Sequence, residues 1–556
     1  MIIPRPTEYH PRPGRFSIPP ALHLAPGAGA ERAADLLAGY LGPGRPRTGD
    51  GPAVTLGLDP APGRLDPEGY SLEITPDAVT LTAPAEAGLF HGVQTLRQLL
   101  PPETIVPDQA SAESWYWPCV QVTDAPRLPW RGALLDVARH FLPLEFLYEF
   151  VDQLALHKLN VLHLHLTDDQ GWRIEIDGLP KLTEIGAWRT ESMVGPAAKP
   201  GRRAGHVDVF DGTPHGGYYT ARELRGLVEF ADARGVEVVP EIEMPGHARA
   251  ILAAYPELGN HPDRHLPVWT AWGVSEDILG VQDETLDFCR EVLARTIEIF
   301  PSRHVHIGGD ECPTTQWRDG QVAQARAAQA GLADPAELHG WFLREMHEFL
   351  AKQGRRAVAW DEAGESADLP TDLVLTAWRD PSHGVRAVAR GNRVIMAPHR
   401  STYLDYPQST RPEEPVGNPE FIVTLPEVFD FDPLAGGLTA VTGESGGGVL
   451  GTQAQLWTEH VATTAHVQYL TYPRLCALAE TAWSSGPRDY AEFRERLEGH
   501  WRRLRLLGVA DSPQALGSTG LTMGEHLAVV AREGGSGGAA GGKPGEQAAA
   551  AESMEL

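Results

Sequence analysis

From Trp130 onward, short apolar runs alternate with longer amphipathic stretches, the signature of repeated βα units around a parallel sheet. Eight runs have strand character: RGALLDVA, NVLHLHLT, VEVVPEIE, HVHIGG, AVAW, LVLTAW, RVIMA and VLGTQAQLW. Eight is the number that closes a (β/α)8 barrel. The stretches between them include LEFLYEFVDQLALHK and ARELRGLVEFADARG, with Gly235 placed to end the second.

The chain before the barrel has a different texture. Three β-rich runs, AVTLGL, GYSLEIT and AVTLTA, precede EAGLFHGVQTLRQLL, whose apolar residues recur at helical intervals. The expected organisation is an α+β domain over residues 1–125, an α/β barrel over 126–510, and a C-terminal segment over 511–556. That segment is low-complexity from about residue 533 (GGSGGAAGGKPGEQAAAAESMEL) and is expected to be disordered. Two loop-like stretches, Glu191 to Tyr218 and PQSTRPEEPVGNP after Tyr406, are candidates for the wall of a site at the barrel mouth.

A formal charge of −27 argues against nucleic acid or an anionic membrane as a partner. The start, IIPRPTEYHPRPG after Met1, lacks a basic segment followed by an apolar one, and no stretch is long and apolar enough to span a bilayer. A cytoplasmic location without membrane contact is therefore expected. Cys119, Cys289, Cys312 and Cys476 lie far apart, with neither metal-ligand nor disulfide-framework spacing, and reduced thiols are expected.

Barrel enzymes place catalytic groups at the C-terminal ends of their strands, and polar residues accumulate there in this sequence. The run from His304 to Glu311 ends in two glycines and two adjacent carboxylates, Asp310 and Glu311. Two such groups cannot both ionise freely, so one pKa should rise toward the working pH, as a general acid requires. Trp360, Trp378 and Trp457 sit at or near the ends of three other strands, Glu459 follows the last of them, and Tyr403-x-Asp405 follows the seventh. A lone Trp there is usually core packing. Three Trp converging with carboxylates suit a sugar, whose C–H faces lie on aromatic rings while its hydroxyls take charged hydrogen bonds.

Over roughly residues 50–500 the sequence resembles the family 20 glycoside hydrolases, the β-N-acetylhexosaminidases. The motifs RGALLDVARHF, KLNVLHLHLTDDQGWRIEI, GGYYT, EIEMPGHARA, HIGGDE, AWDE, TAW and QLWTE occur in the family's order. The likeness is weakest from Glu191 to Tyr218 and between Glu311 and Trp360.

The resemblance implies an exo-acting, retaining hydrolase of terminal N-acetylglucosamine or N-acetylgalactosamine that needs neither metal nor cofactor, its partner a small carbohydrate. In such enzymes the substrate's own acetamido oxygen is the nucleophile, giving an oxazolinium intermediate. By similarity Glu311 is the acid and base, Asp310 holds the acetamido N–H, and Tyr403 holds its carbonyl oxygen. Trp360, Trp378 and Trp457 match the aromatic box, while Arg139, Glu459 and Asp405 match hydroxyl contacts. Asp168 and His247 match a pair supporting Glu311.

Three other readings stay open at this level, the mildest being the same chemistry on a different substrate, such as an enzyme that releases a disaccharide. His163-x-His165 with His247, His306 and Asp310 is reminiscent of a divalent-metal hydrolase. A sugar-binding protein on a hydrolase scaffold is the second, since fold does not guarantee function.

Overall fold

The computed structural model describes residues 2–509 except 21, 43–52, 60–65, 107–109, 112–113, 196–207, 416, 419–420 and 442–445. The tail expected to be disordered lies outside the described residues.

The eight strands named from the sequence close a parallel barrel. In chain order they are Trp130–Asp136, Val161–His165, Glu237–Glu241, His304–His306, Arg356–Trp360, Val374–Ala377, Arg393–Met396 and Gly448–Leu456, the last pairing with the first. Such strands are covered on both faces, which is why they read as near-continuous apolar runs. The surrounding helices begin and end where local chemistry dictates. Thr220 and Glu223 form a reciprocal capping box ahead of helix Ala221–Asp232, and Gly235 takes the left-handed conformation (φ 72°) just beyond it. In helix Leu144–Leu156, Phe146, Leu147, Phe150, Val151 and Leu154 form one buried stripe facing the barrel. Among the described residues no helix is long and apolar enough to cross a membrane.

Ahead of the barrel lies a six-stranded sheet: β1 (Glu8–Ser17), β2 (His23–Pro26), β3 (Ala53–Leu58), β4 (Tyr70–Ile74), β5 (Val79–Ala83) and β6 (Tyr116–Asp124), in the order β1-β6-β4-β5-β3-β2. It packs on helices Glu31–Leu41 and Glu86–Leu99. The three sequence-expected strands and the second helix are present. The flanking strands β1, β2 and β6 and the first helix are additions. β1 is an edge strand with only Phe16 buried, and it contains Pro11, Pro13 and a register shift before Arg15. Proline is tolerated at an edge, so β1 shows no alternating pattern to read.

A buried polar knot joins the sheet to the barrel. Lys158 Nζ donates to Asp124 Oδ2 at 2.7 Å and to Tyr70 Oη at 2.9 Å, and Trp483 Nε1 donates to Asp124 Oδ1 at 2.9 Å. The ammonium also lies 4.7 Å from the centre of the Trp483 ring.

Candidate active site

All eight strands deliver polar or aromatic residues to one end of the barrel. The first leads to Asp136 and Arg139, the second to His165 and Asp168, the third to Glu241, Glu243 and His247. The fourth leads to Asp310 and Glu311, the fifth to Trp360, Asp361 and Glu362, and the sixth to Trp378. The seventh leads to Tyr403 and Asp405, the eighth to Trp457 and Glu459.

The turn after the fourth strand is built by exclusion. Gly308 and Gly309 have φ of 65° and 91°, and a Cβ on Gly308 would lie 1.8 Å from Glu243 Oε1. Glu311 itself sits at φ 43° and His247 at φ 48°, conformations that a side-chain-bearing residue adopts only when its surroundings impose them. The result parts two neighbours. Asp310 points inward, its Oδ1 buried without a hydrogen-bond partner. Glu311 lies on the lip with 43% of its side chain exposed.

Behind them runs a line of ionisable partners. Glu241 accepts from Trp360 Nε1 at 2.8 Å and lies within 3.0 Å of His163 Nε2 and 2.9 Å of His306 Nδ1. His165 bridges Glu241, through Nδ1, and Asp168, through Nε2 at 2.9 Å. Burial opposes a charge on that ring, but the two carboxylates outweigh it and raise its pKa to about 10. Asp168 also receives Arg139 Nη2 at 2.9 Å and His247 Nδ1 at 3.2 Å. His247 Nε2 then lies 3.6 Å from Glu311 and 4.0 Å from Asp310. Burial again works against the His247 charge, yet Asp168 holds the ring well above the usual histidine value.

This network settles which carboxyl of the pair carries the raised pKa. Desolvation, reinforced by Glu311 and Glu241, lifts Asp310 to about 6, although His247 pulls the other way. Burial would raise Glu311 as well, but the His247 ring beside it holds that carboxyl below the ordinary glutamate value. The sequence expectation of one raised carboxyl is met by Asp310, while the residue matched to the acid role keeps its charge when no sugar is bound.

The aromatic residues form one enclosure. Tyr403 and Trp378 stack at 6.1 Å with an interplanar angle of 23°, and Trp457 lies 5.8 Å from Trp360 and 6.3 Å from Tyr403. Trp360 is buried completely, Trp378 only partly. Arg139 sits 5.0 Å from the Trp457 ring centre and is braced by Asp136 at 3.3 Å and Gln170 at 3.1 Å, with Glu459 at 4.0 Å. Asp405 is buried with Oδ1 unpartnered, and burial next to Glu459 raises its pKa well above the usual value. The segment after Tyr406 folds back onto this corner, where a Cβ on Gly417 would meet Asp405 O at 1.8 Å.

Beside the enclosure a cleft of about 940 Å3 opens, lined by Glu311, Cys312, His339, Trp341, Arg344 and Glu362 among others. Much of its wall comes from the stretch between Glu311 and Trp360, where the family likeness is weakest; helix Leu338–Lys352 supplies His339, Trp341 and Arg344.

All eleven residues singled out from the sequence gather at this end of the barrel. Sequence reading passed over Glu241, Glu243, Asp136, Gln170 and Glu362. The signal for two of them was present: Glu241 and Glu243 are two apart at a strand end and so share a side. Glu243 Oε1 accepts from the Gly309 N–H at 2.8 Å and so supports the turn, while burial near Asp310 pushes its pKa well up. The histidines that suggested a metal site have this other employment. His163, His165 and His306 converge on Glu241, and an ion there would have to displace those contacts.

Comparison with known proteins agrees with this geometry. Residues 128–486 match the glycosyl hydrolase family 20 catalytic domain and residues 1–125 match domain 2 of that family. The chain belongs to glycosyl hydrolase family 20. A beta-hexosaminidase of Porphyromonas gingivalis is 37% identical over 462 residues, which are 83% of this chain and 56% of that protein, so the chain spans little more than half of that relative. The exo beta-N-acetylglucosaminidase of Vibrio harveyi, solved with N-acetylglucosamine, superposes with a TM-score of 0.79 at 29% identity, covering 92% of this chain and 78% of that one. The beta-N-acetylhexosaminidase of Streptomyces coelicolor A3(2) superposes at 0.76 with 30% identity, covering 92% and 97%.

Proposed function

We propose that this chain is an exo-acting β-N-acetylhexosaminidase that releases terminal N-acetylglucosamine or N-acetylgalactosamine with retention, the substrate's acetamido group acting as nucleophile. The observation that carries the reading is the parting of Asp310 from Glu311. A buried, unpartnered carboxylate oxygen beside an aromatic enclosure suits an acetamido N–H, and a carboxyl on the lip beside a cleft suits a leaving group. The family motifs and the relatives named above support the same assignment.

In this scheme Tyr403 holds the acetamido oxygen for attack on the anomeric carbon, a proximity effect. The glycosidic C–O bond breaks as Glu311 passes its proton to the departing oxygen. Asp310, ionised, accepts the acetamido N–H and balances the positive charge of the oxazolinium ring. Glu311, now a carboxylate, takes a proton from the water that adds to the anomeric carbon, and the ring reopens. Arg139, Glu459 and Asp405 hold the sugar hydroxyls, and Trp360, Trp378 and Trp457 enclose the acetamido methyl and the ring.

The productive form thus carries one proton on the Asp310–Glu311 pair, and it sits on Glu311. The pair loses that proton with an apparent value near 6 and gains a second below the ordinary glutamate value. A plot of kcat/KM against pH is expected to be a bell, falling above about 6 and again in more acidic solution. Asp310→Asn should abolish the limb near 6; a profile flat from pH 4 to 8 would contradict the pairing.

The direct test is hydrolysis of two matched aryl β-glycosides, one 2-acetamido and one 2-hydroxyl, after chelator treatment. Turnover of the acetamido substrate alone, unaffected by chelation, is the expected result. Equal rates would point to a protein nucleophile, and chelator-sensitive rates to a metal. Tight binding of N-acetylglucosamine without turnover would favour the sugar-binding reading.

A further inference from the structure

The stretch AWDE carries two consecutive carboxylates that neither the acid–base chemistry nor the sugar contacts employ. They grip the next strand end in different ways. Asp361 accepts from the backbone N–H groups of Trp378 at 3.1 Å and Arg379 at 3.3 Å. Glu362 takes the side chain: both its oxygens face the Trp378 indole Nε1–H, at 3.0 and 3.2 Å. The same carboxyl lines the cleft it shares with Glu311, so it stands in the partition between the two compartments.

An indole has one donor, and Trp378 spends it on Glu362. The other ring neighbours of Trp378 are Tyr403, stacked at 6.1 Å, and His399 at 6.2 Å, and neither fixes rotation about the side-chain bonds as a directed hydrogen bond does. Trp360, on the preceding strand, is held the same way, by Glu241. We propose that Glu362 is a positioning residue that locks the Trp378 indole and thereby sets how large an N-acyl group the enclosure accepts. This rests on the reading of that enclosure as the acetamido site. Burial next to Asp310 and Asp361 lifts Glu362 to about 9 against the pull of Arg379, so at neutral pH it is a neutral acid. A glutamine, with one acceptor and one donor end, reproduces that state.

The experiment compares wild type, Glu362→Gln and Glu362→Leu on aryl β-glycosides bearing N-acetyl, N-propionyl and N-butyryl groups. Dissociation constants of the corresponding free N-acylglucosamines are measured alongside by tryptophan fluorescence. The Leu variant fills the space without an acceptor and is expected to lose about tenfold of the acetyl-over-butyryl preference, the Gln variant no more than about twofold. Glu362→Ala substitutes for Leu if the latter does not fold. An active wild type whose preference survives in Leu or Ala overturns the inference and leaves the function standing. A wild type that neither hydrolyses nor discriminates among the acyl series overturns both.

Discussion

Glu311→Gln is expected to lower turnover of an unactivated N-acetylhexosaminide by about 10³-fold, within the range that a positioned general acid and base supplies. The amide keeps the size and the φ of 43° but cannot release a proton to the leaving oxygen. With an aryl glycoside whose leaving group departs without protonation, the first step should lose much less. The second step still needs a base, so an intermediate should accumulate and appear as a burst. Equal losses on both substrates would mean that the substitution disturbs the site instead of its proton transfer. Near-full activity on the natural type of substrate would remove Glu311 from the mechanism. Stability should hardly change, because this side chain is 43% exposed and its nearest ionic partner is 3.6 Å away.

The second large effect is on stability and lies far from the sugar. Lys158→Met is expected to cost about 3–5 kcal/mol, because it leaves Asp124 buried without its counter-charge. Lys158 and Asp124 side chains are both fully buried, and the same carboxylate also takes Tyr70 and Trp483. Denaturant unfolding of the two proteins measures the difference. Asp124→Leu placed on top of Lys158→Met should restore part of the loss, since it removes the stranded charge. If Lys158→Met alone unfolds with the wild-type midpoint, the knot contributes only shape. Lys158 adopts φ 57°, so a glycine there would relax the backbone but delete the ammonium, and it is the poorer control.

These two sites show what the sequence made legible. The barrel strands were readable because each is buried on both faces and bracketed by helical stretches with caps. β1 was not, because only one of its residues is buried and two prolines interrupt it. At the site, the strand-end residues could be named one by one from motifs in a fixed order. Glu362 could not, because its significance depends on an indole 16 residues away; Glu243 shows as a strand-end carboxylate, but its bond to a glycine N–H 66 residues away does not. Which member of the Asp310–Glu311 pair holds the higher pKa was equally hidden. Adjacency predicts a split; its direction follows from burial, which leaves Asp310 desolvated and unpartnered while Glu311 lies at the rim beside His247, a fact of the assembled barrel.

Glu241, His165, Asp168, His247 and Glu311 form a relay of alternating sign from the barrel axis to the rim, each member facing the next. The readiness of the acid to accept a proton is therefore a property of the whole relay and not of its last link. A change at Glu241, at the inner end of the relay, is expected to shift the pH range in which the rim works. Adaptation of such an enzyme to acidic or neutral surroundings can proceed from below while every group that meets the substrate stays as it is.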